Sequence, residues 1–264
     1  MSLIETRNLY KEFNIVRGFL KSDKIHALSD VNIKLERDEI IGVVGASGSG
    51  KSTLARLLVL LYRPTSGEII FHDEDVANIK GKELRKYRSN IQMVFQDPYA
   101  SLDPFHNVDW HIRRPLIISK YSGNISERIN ELLSLVKLDP PEIYRYKFPH
   151  EMSGGQRQRV YMARALAMDP KILIADEPVS MLDVSLRVEI LDLLLTIKRN
   201  MNIGIIYITH DLNTVSMVTD RIYVLNNGRV VESGYTSDIM KNPTDQYTRK
   251  LISAAPDPYK KIEV

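Results

Sequence analysis

Residues 45–52, Gly45-Ala46-Ser47-Gly48-Ser49-Gly50-Lys51-Ser52, fit the spacing G-x-x-x-x-G-K-[ST]. Glycine and small residues let a backbone curl until its N–H groups converge on phosphate oxygens, and the helix that follows adds partial positive charge at its first turn. Lys51 supplies a point charge for β- and γ-phosphates, and the Ser52 hydroxyl suits Mg²⁺. Gly45, Ser47, Gly48, Ser49, Gly50, Lys51, Ser52 and Thr53 are therefore the nucleotide-binding candidates. The bland alternative is a chance glycine-rich turn; a strand before the motif and a helix after it argue against that.

Two further groups could act on a phosphate held there. Asp176 and Glu177 end an apolar run, Ile172 to Ala175, where buried unpaired carboxylates would be costly. With a phosphate loop in the same sheet, Asp176 is a metal-holding candidate, largely through the ion's water shell. Glu177 is the candidate general base. Taken alone, the pair reads equally well as a turn or a helix cap. Ser153-Gly154-Gly155-Gln156 opens a helical stretch running to about residue 167. Ser153 is a natural cap, and two glycines leave N–H groups uncovered, as at an anion-binding helix terminus. On its own this tetrapeptide is more simply a capped helix start.

The elements that must position these groups are legible in the hydrophobic pattern. Short β-branched runs alternate with helical spacing, which predicts a mostly parallel sheet covered by helices. Strands are expected at Ile40–Val44, Ile69–Phe71, Ile91–Phe95, Lys171–Asp176 and Gly204–Thr209. A buried helix is expected from Ser52 to Leu61 and an amphipathic one from Val184 to Lys198. Between residues 98 and 160 strand-like runs give way to prolines, aromatics and a helical period over Glu127–Lys137, as in a small helical insertion. The first 36 residues and residues 221–234 read as antiparallel strands, the latter around an Asn226-Asn227-Gly228 turn. Thr244–Ser253 reads as a short helix before a proline-containing tail.

Composition excludes several classes. With 36 basic and 33 acidic residues, scattered rather than clustered, the chain lacks the basic patch of a nucleic-acid binder. With no cysteine it can form no disulfide, thiolate-ligated zinc site or iron–sulfur cluster. No signal-like pattern opens the sequence, and no apolar run approaches the ~20 residues that span a bilayer, so a membrane role is expected only through partners.

The order of these motifs resembles the ATP-binding cassette (ABC) ATPases over essentially the whole chain, from Leu3 to Ser253. Ser153-Gly154-Gly155-Gln156 is similar to that family's signature, with Met152 where leucine is usual. The resemblance implies an α/β P-loop (RecA-like) core with an N-terminal antiparallel β subdomain and an inserted helical subdomain. The implied ABC domain is 1–253, with the core in 1–97 and 161–243, the helical insertion in 98–160, and a C-terminal helix and tail in 244–264. It implies ATP and Mg²⁺ as ligands, and a head-to-tail dimer in which the signature of one subunit closes the nucleotide of the other.

By the same resemblance Gln96 is the Q-loop glutamine, a catalytic and Mg²⁺-contacting candidate beside Ser52 and Asp176. Asp183 is the D-loop aspartate, in a stretch where Met181 replaces the commoner alanine. His210 is the switch histidine, contacting the γ-phosphate and Glu177. Phe13 is either the ring that stacks on adenine or a core residue. Residues 95–104, Phe95-Gln96-Asp97-Pro98-Tyr99-Ala100-Ser101-Leu102-Asp103-Pro104, resemble the oligopeptide/dipeptide importer branch, with Asp103 replacing asparagine. Val230–Gly234, Pro243, Tyr247-Thr248, Leu251 and Ala255-Pro256 agree, although Gln246 replaces a proline. That branch also serves oligosaccharides and nickel. It implies a second ATPase subunit, like or unlike, two transmembrane permease subunits, and an extracytoplasmic solute-binding protein. The chain would then sit peripherally on the cytoplasmic face of the membrane. A soluble ABC ATPase outside transport is the less favoured alternative.

Overall fold

Ile40-Ile41-Gly42-Val43-Val44 is buried along its whole length, as a central strand with both faces covered must be. It is one of the parallel strands of a six-stranded sheet in the computed structural model, which describes residues 2–17, 21–95, 101–180 and 182–254. In chain order the strands are β1 (Ser2–Arg17), β2 (Lys21–Val31), β3 (Lys34–Glu36), β4 (Ile40–Val44), β5 (Ser66–Phe71), β6 (Glu74–Asp75), β7 (Ile91–Val94), β8 (Ile172–Asp176), β9 (Gly204–Thr209), β10 (Arg221–Asn226) and β11 (Arg229–Tyr235). The central sheet has the order β11-β10-β4-β9-β8-β7, parallel throughout except for the edge hairpin β10–β11. That hairpin turns through Asn227 and Gly228, both with positive φ (47° and 74°), which is what a two-residue turn of this hand demands.

Side chains alternate between the two faces with the two-residue period of a strand. Ile40 and Val44 of β4, Leu173 and Ala175 of β8, and Ile205 and Tyr207 of β9 join one core with helices Gly154–Leu166, Val184–Met201 and Leu212–Val218. Ile41 and Val43, Ile172 and Ile174, and Ile206 and Ile208 join the other, against helix Lys51–Leu58 and a second, antiparallel sheet. That second sheet runs β2-β1-β5-β6, with β3 also paired to β1. The architecture is the expected RecA-like core with an N-terminal β subdomain and a helical subdomain. The latter is built from helices Val108–Ile118, Ile125–Leu135 and Pro141–Tyr144.

Several boundaries differ from expectation. Helix Gly154–Leu166 runs unbroken across residue 160, so the helical part is continuous with a core helix there. The helix expected over Ser52–Leu61 ends at Leu58, and Leu60 turns to a φ of 54°. Helix Gly81–Asn90 has no counterpart in the hydrophobic pattern, because Tyr87 is its one buried side chain. Gln96, residues 97–100, Met181 and the tail from Ala255 lie outside the described residues. Among the described residues, no helix is long and apolar enough to cross a membrane.

Candidate functional site

Three strands that neighbour one another in the sheet, β4, β9 and β8, end at the same edge: Val44 pairs with Thr209, and Asp176 with Ile208. The residues that follow these ends are the chemically loaded ones, Gly45, Glu177 and His210. This is the carboxyl edge of an open α/β sheet, where such folds bind ligands.

The loop after β4 is shaped by what surrounds it. Gly50 has a φ of 109°, and a Cβ there would lie 2.7 Å from the Ala27 carbonyl oxygen and from Leu28 Cδ2. Gly48, with a φ of 79°, faces open space. From outside, the Gly228 N–H donates to the Ser49 carbonyl at 2.9 Å. Lys51 folds back over the loop and donates to the carbonyls of Gly45 (2.8 Å) and Ala46 (2.9 Å). Burial pushes its ammonium below the ordinary lysine value, against the pull of Glu177 and Asp176. Helix Lys51–Leu58 thus starts with a cation held by two backbone carbonyls of the loop.

Asp176 is buried at the end of β8, and its Oδ1 has no protein partner among the described residues. Burial drives its carboxyl above the ordinary aspartate range, and repulsion from Glu177 adds to this. A hydrogen bond from Ser52 and the attraction of Arg56 and Lys51 do not offset the rise. Glu177 adopts a φ of 49°, the left-handed region, which is strained for a residue with a side chain. Its N–H donates to the Ile208 carbonyl (2.8 Å), and Ser180 Oγ donates to its carbonyl (3.1 Å), so the kink is tied down on both sides. The kink carries the Glu177 side chain to His210, with Oε1 and Nδ1 3.0 Å apart. With a proton on each ring nitrogen, His210 donates from Nδ1 to Glu177 and can donate from Nε2 to a phosphate oxygen.

A cavity of about 1040 Å³ joins these parts. Ser47, Gly48, Gly50, Lys51, Ser52, Thr53, Glu177 and His210 all line it. Gly45 and Ser49 complete the loop behind them. The structure does not bring the Ser153–Gln156 segment into this cavity. There Ser153 Oγ accepts from the Gln156 N–H (3.3 Å), and Gln156 Oε1 accepts from the Ser153 N–H (3.1 Å), a reciprocal cap on helix Gly154–Leu166. Asp183 caps helix Val184–Met201 through the Leu186 N–H (3.0 Å). That bond and a second from Ser185 hold its carboxyl below the ordinary range. Phe13 on β1 packs edge-on against Tyr62 at 5.3 Å, with Lys11 Nζ 4.9 Å from its ring centre. The residues that the hairpin presents to the cavity are instead Ile25, His26 and Ala27 of β2.

The sequence reading missed several lining residues. Arg187, Asp211 and Asn213 stand beside His210, and Leu251 and Ala254 reach the cavity from the C-terminal helix. Asp211 directly follows His210 and caps the next helix through the Asn213 N–H (3.0 Å), a signal available in the sequence as an Asp before an apolar helix. Nothing local marks the others.

The profile of the ABC transporter family matches residues 28–180. The chain is 40% identical to an oligopeptide transport ATP-binding protein of Streptococcus mutans, over 97% of this chain and 82% of that one. It is 42% identical to a glutathione import ATP-binding protein of Pectobacterium atrosepticum, over 96% of its own length but only 41% of that longer protein. Among solved structures, a dimeric ATP-binding cassette in a post-hydrolysis state, bound to ADP and phosphate, superposes with a TM-score of 0.76. It is 30% identical over 88% of this chain and 98% of its own.

Proposed function

The chain belongs to the ABC transporter family and is an ATPase of the ABC type, and from that premise we propose that it energises the import of oligopeptides or dipeptides. The observation that carries the reading is the convergence of the glycine-rich loop, Glu177 and His210 on one cavity at the ends of three adjacent strands, with Asp176 buried at the end of β8 beside them. ATP seated on the loop draws Lys51 away from the Gly45 and Ala46 carbonyls toward the β- and γ-phosphates. Glu177 then accepts a proton from the attacking water, and His210 holds Glu177 in line while its outer nitrogen meets the γ-phosphate.

Ser52 and Asp176 fit Mg²⁺. Both offer oxygen ligands, and Asp176 Oδ1 is a buried acceptor without a protein partner among the described residues. Among the described residues no group of three or more His, Asp or Glu could cage an ion, so phosphate and water would supply the other ligands. Bound there, the ion would offset charge building on the phosphates.

The ATPase arrangement is a dimer, as in the related cassette. In our reading, Ser153–Gln156 and Asp183 serve the nucleotide of a second subunit, a copy or an unlike partner, and Gln96 completes the Mg²⁺ and water contacts. Two permease subunits dock around residues 96–115, beside the groove lined by Trp110, His111, Arg114 and Tyr161. A solute-binding protein delivers cargo from outside, and this chain sits on the cytoplasmic face of the membrane. The importer class is supported by residues 95–104 and by the C-terminal segment, together with the peptide and glutathione transport named for its relatives.

The test is Glu177→Gln in the assembled transporter. Phosphate release should fall about 10²- to 10⁴-fold while ATP still binds, and peptide uptake into vesicles should fall with it. Turnover near that of the parent protein removes Glu177 as the base. ATP-driven uptake of nickel or an oligosaccharide in place of peptide removes the cargo class.

A further inference from the structure

Two segments 201 residues apart in the chain meet through a hydrogen bond that no motif accounts for. The Ala46 N–H, in the glycine-rich loop, donates to the Tyr247 phenol oxygen at 2.8 Å. Tyr247 belongs to helix Gln246–Ala254, whose start is fixed on β11. The Glu232 carboxylate accepts from the Thr244 N–H (2.7 Å), Thr244 Oγ1 (2.8 Å) and the Asp245 N–H (3.2 Å). Asp245 Oδ1 accepts in turn from the N–H groups of Tyr247 (2.8 Å) and Thr248 (3.2 Å). Tyr247, Leu251 and Ile252 pack half-buried against the core, so the phenol is held by its ring as well as by its helix.

The bond matters because of what grips the other end of the same peptide group. The Gly45 carbonyl accepts from Lys51 Nζ at 2.8 Å, while the amide that shares its plane, Ala46 N–H, donates to Tyr247. A cation on the oxygen polarises the unit and strengthens the donor. The peptide is thus pinned at both ends. When Lys51 leaves for phosphate, the Gly45 carbonyl loses its cation, and Tyr247 is the contact that still fixes the plane.

We propose that Tyr247 is a positioning residue for nucleotide binding: it holds the Gly45–Ala46 peptide in the orientation that keeps the loop's remaining amides aimed at phosphate once Lys51 has moved. The C-terminal helix is then a wall and a brace of the nucleotide site in the same subunit, with Leu251 and Ala254 lining the cavity. This rests on reading the cavity as the ATP site.

The experiment uses the full chain and Tyr247→Phe, which removes one oxygen and keeps the ring. In protein labelled with ¹⁵N-alanine, the Ala46 amide should exchange with solvent at least about tenfold faster in the variant. Dissociation constants for MgATP and ADP should rise about 2- to 10-fold, because the bond is what keeps the peptide oriented once Lys51 has left the Gly45 carbonyl. The melting midpoint of the nucleotide-free chain should hold within about 2 °C, because the packing is intact. Unchanged exchange at Ala46, unchanged affinity, or an affinity loss matched by a fall in the nucleotide-free midpoint each overturns the proposal. If the parent chain itself binds no ATP, the site reading fails first and this inference falls with it.

Discussion

Replacing Asp176 by Asn should make the nucleotide-free chain more stable at neutral pH. The Asp176 carboxylate is buried, and its Oδ1 has no protein partner among the described residues. Burial, helped by repulsion from Glu177, raises its folded-state pKa above the unfolded value. For an acid so shifted, the folded state disfavours ionisation. The parent protein's stability at this site is therefore fully present below the unfolded value of about 3.9 and declines as pH rises toward the folded value. At pH 7 without metal, the ionised group is a net cost. An unsatisfied buried group costs about 1–3 kcal/mol, and Asn recovers only part, because its own amide also wants partners. A gain of about 1 kcal/mol corresponds to about 2 °C in a chain of this length. Lys51 loses one counter-charge in the variant but keeps Glu177, the larger of the two. Calorimetry in EDTA at pH 7 should put the variant above the parent, and the gap should close toward pH 4. Adding Mg²⁺ and ATP should reverse the order, since saturation at 100 times Kd stabilises the parent by about 2.7 kcal/mol and the weakened variant by less. A variant that melts below the parent in EDTA at pH 7 refutes the reasoning, because the carboxylate would then be satisfied by the protein alone.

The loop's glycines separate strain from collision. Gly50→Ala, with its Cβ 2.7 Å from the Ala27 carbonyl oxygen and a φ of 109°, should lower the melting midpoint by several degrees and weaken ATP at least about tenfold, as measured by calorimetric titration. Gly48→Ala meets nothing within 4 Å and should cost only the left-handed backbone, about 1–2 kcal/mol; equal losses in the two variants would show that the collision does not matter. Ser153→Ala removes a reciprocal helix cap and should cost about 1 kcal/mol in denaturant unfolding. It should leave the isolated chain's affinity for ATP intact while depressing hydrolysis in the dimer; a loss of affinity in the isolated chain would tie Ser153 to the nucleotide of its own subunit.

How much of this was legible in the sequence follows from how local each feature is. The phosphate loop is eight contiguous residues, and β4, β8 and β9 are apolar runs with no competing period, so both could be read directly. Helix Gly81–Asn90 could not, because it has no apolar stripe. It is held by the Tyr87 ring and by hydrogen bonds that Tyr87 and Arg88 donate to the carbonyls of Leu58, Val59 and Leu60. Those same bonds explain the early end of the preceding helix. Val59 and Leu60 are buried and apolar, so the pattern continues, but their carbonyls and that of Leu58 are taken by another helix instead of by the next turn. Phe13 illustrates the same limit in a hairpin: it pairs with Ile25, and the β2 residues from Ile25 to Ala27 are the ones that reach the cavity.

The phosphate loop was legible as a motif, yet its shape is set from outside the motif. Ala27 and Leu28 crowd Gly50, Gly228 holds the Ser49 carbonyl, and Tyr247 holds the Ala46 amide. A glycine-rich octapeptide has too much backbone freedom to choose one curl unaided, and the entropy of fixing it must be offset by contacts. Here they come from β2, the β10–β11 turn and the C-terminal helix, three elements far apart in sequence. The motif therefore specifies which chemistry the loop performs, while its resting geometry depends on residues that spacing rules cannot reach. Substitutions among those braces should shift nucleotide affinity with every residue of the motif unchanged.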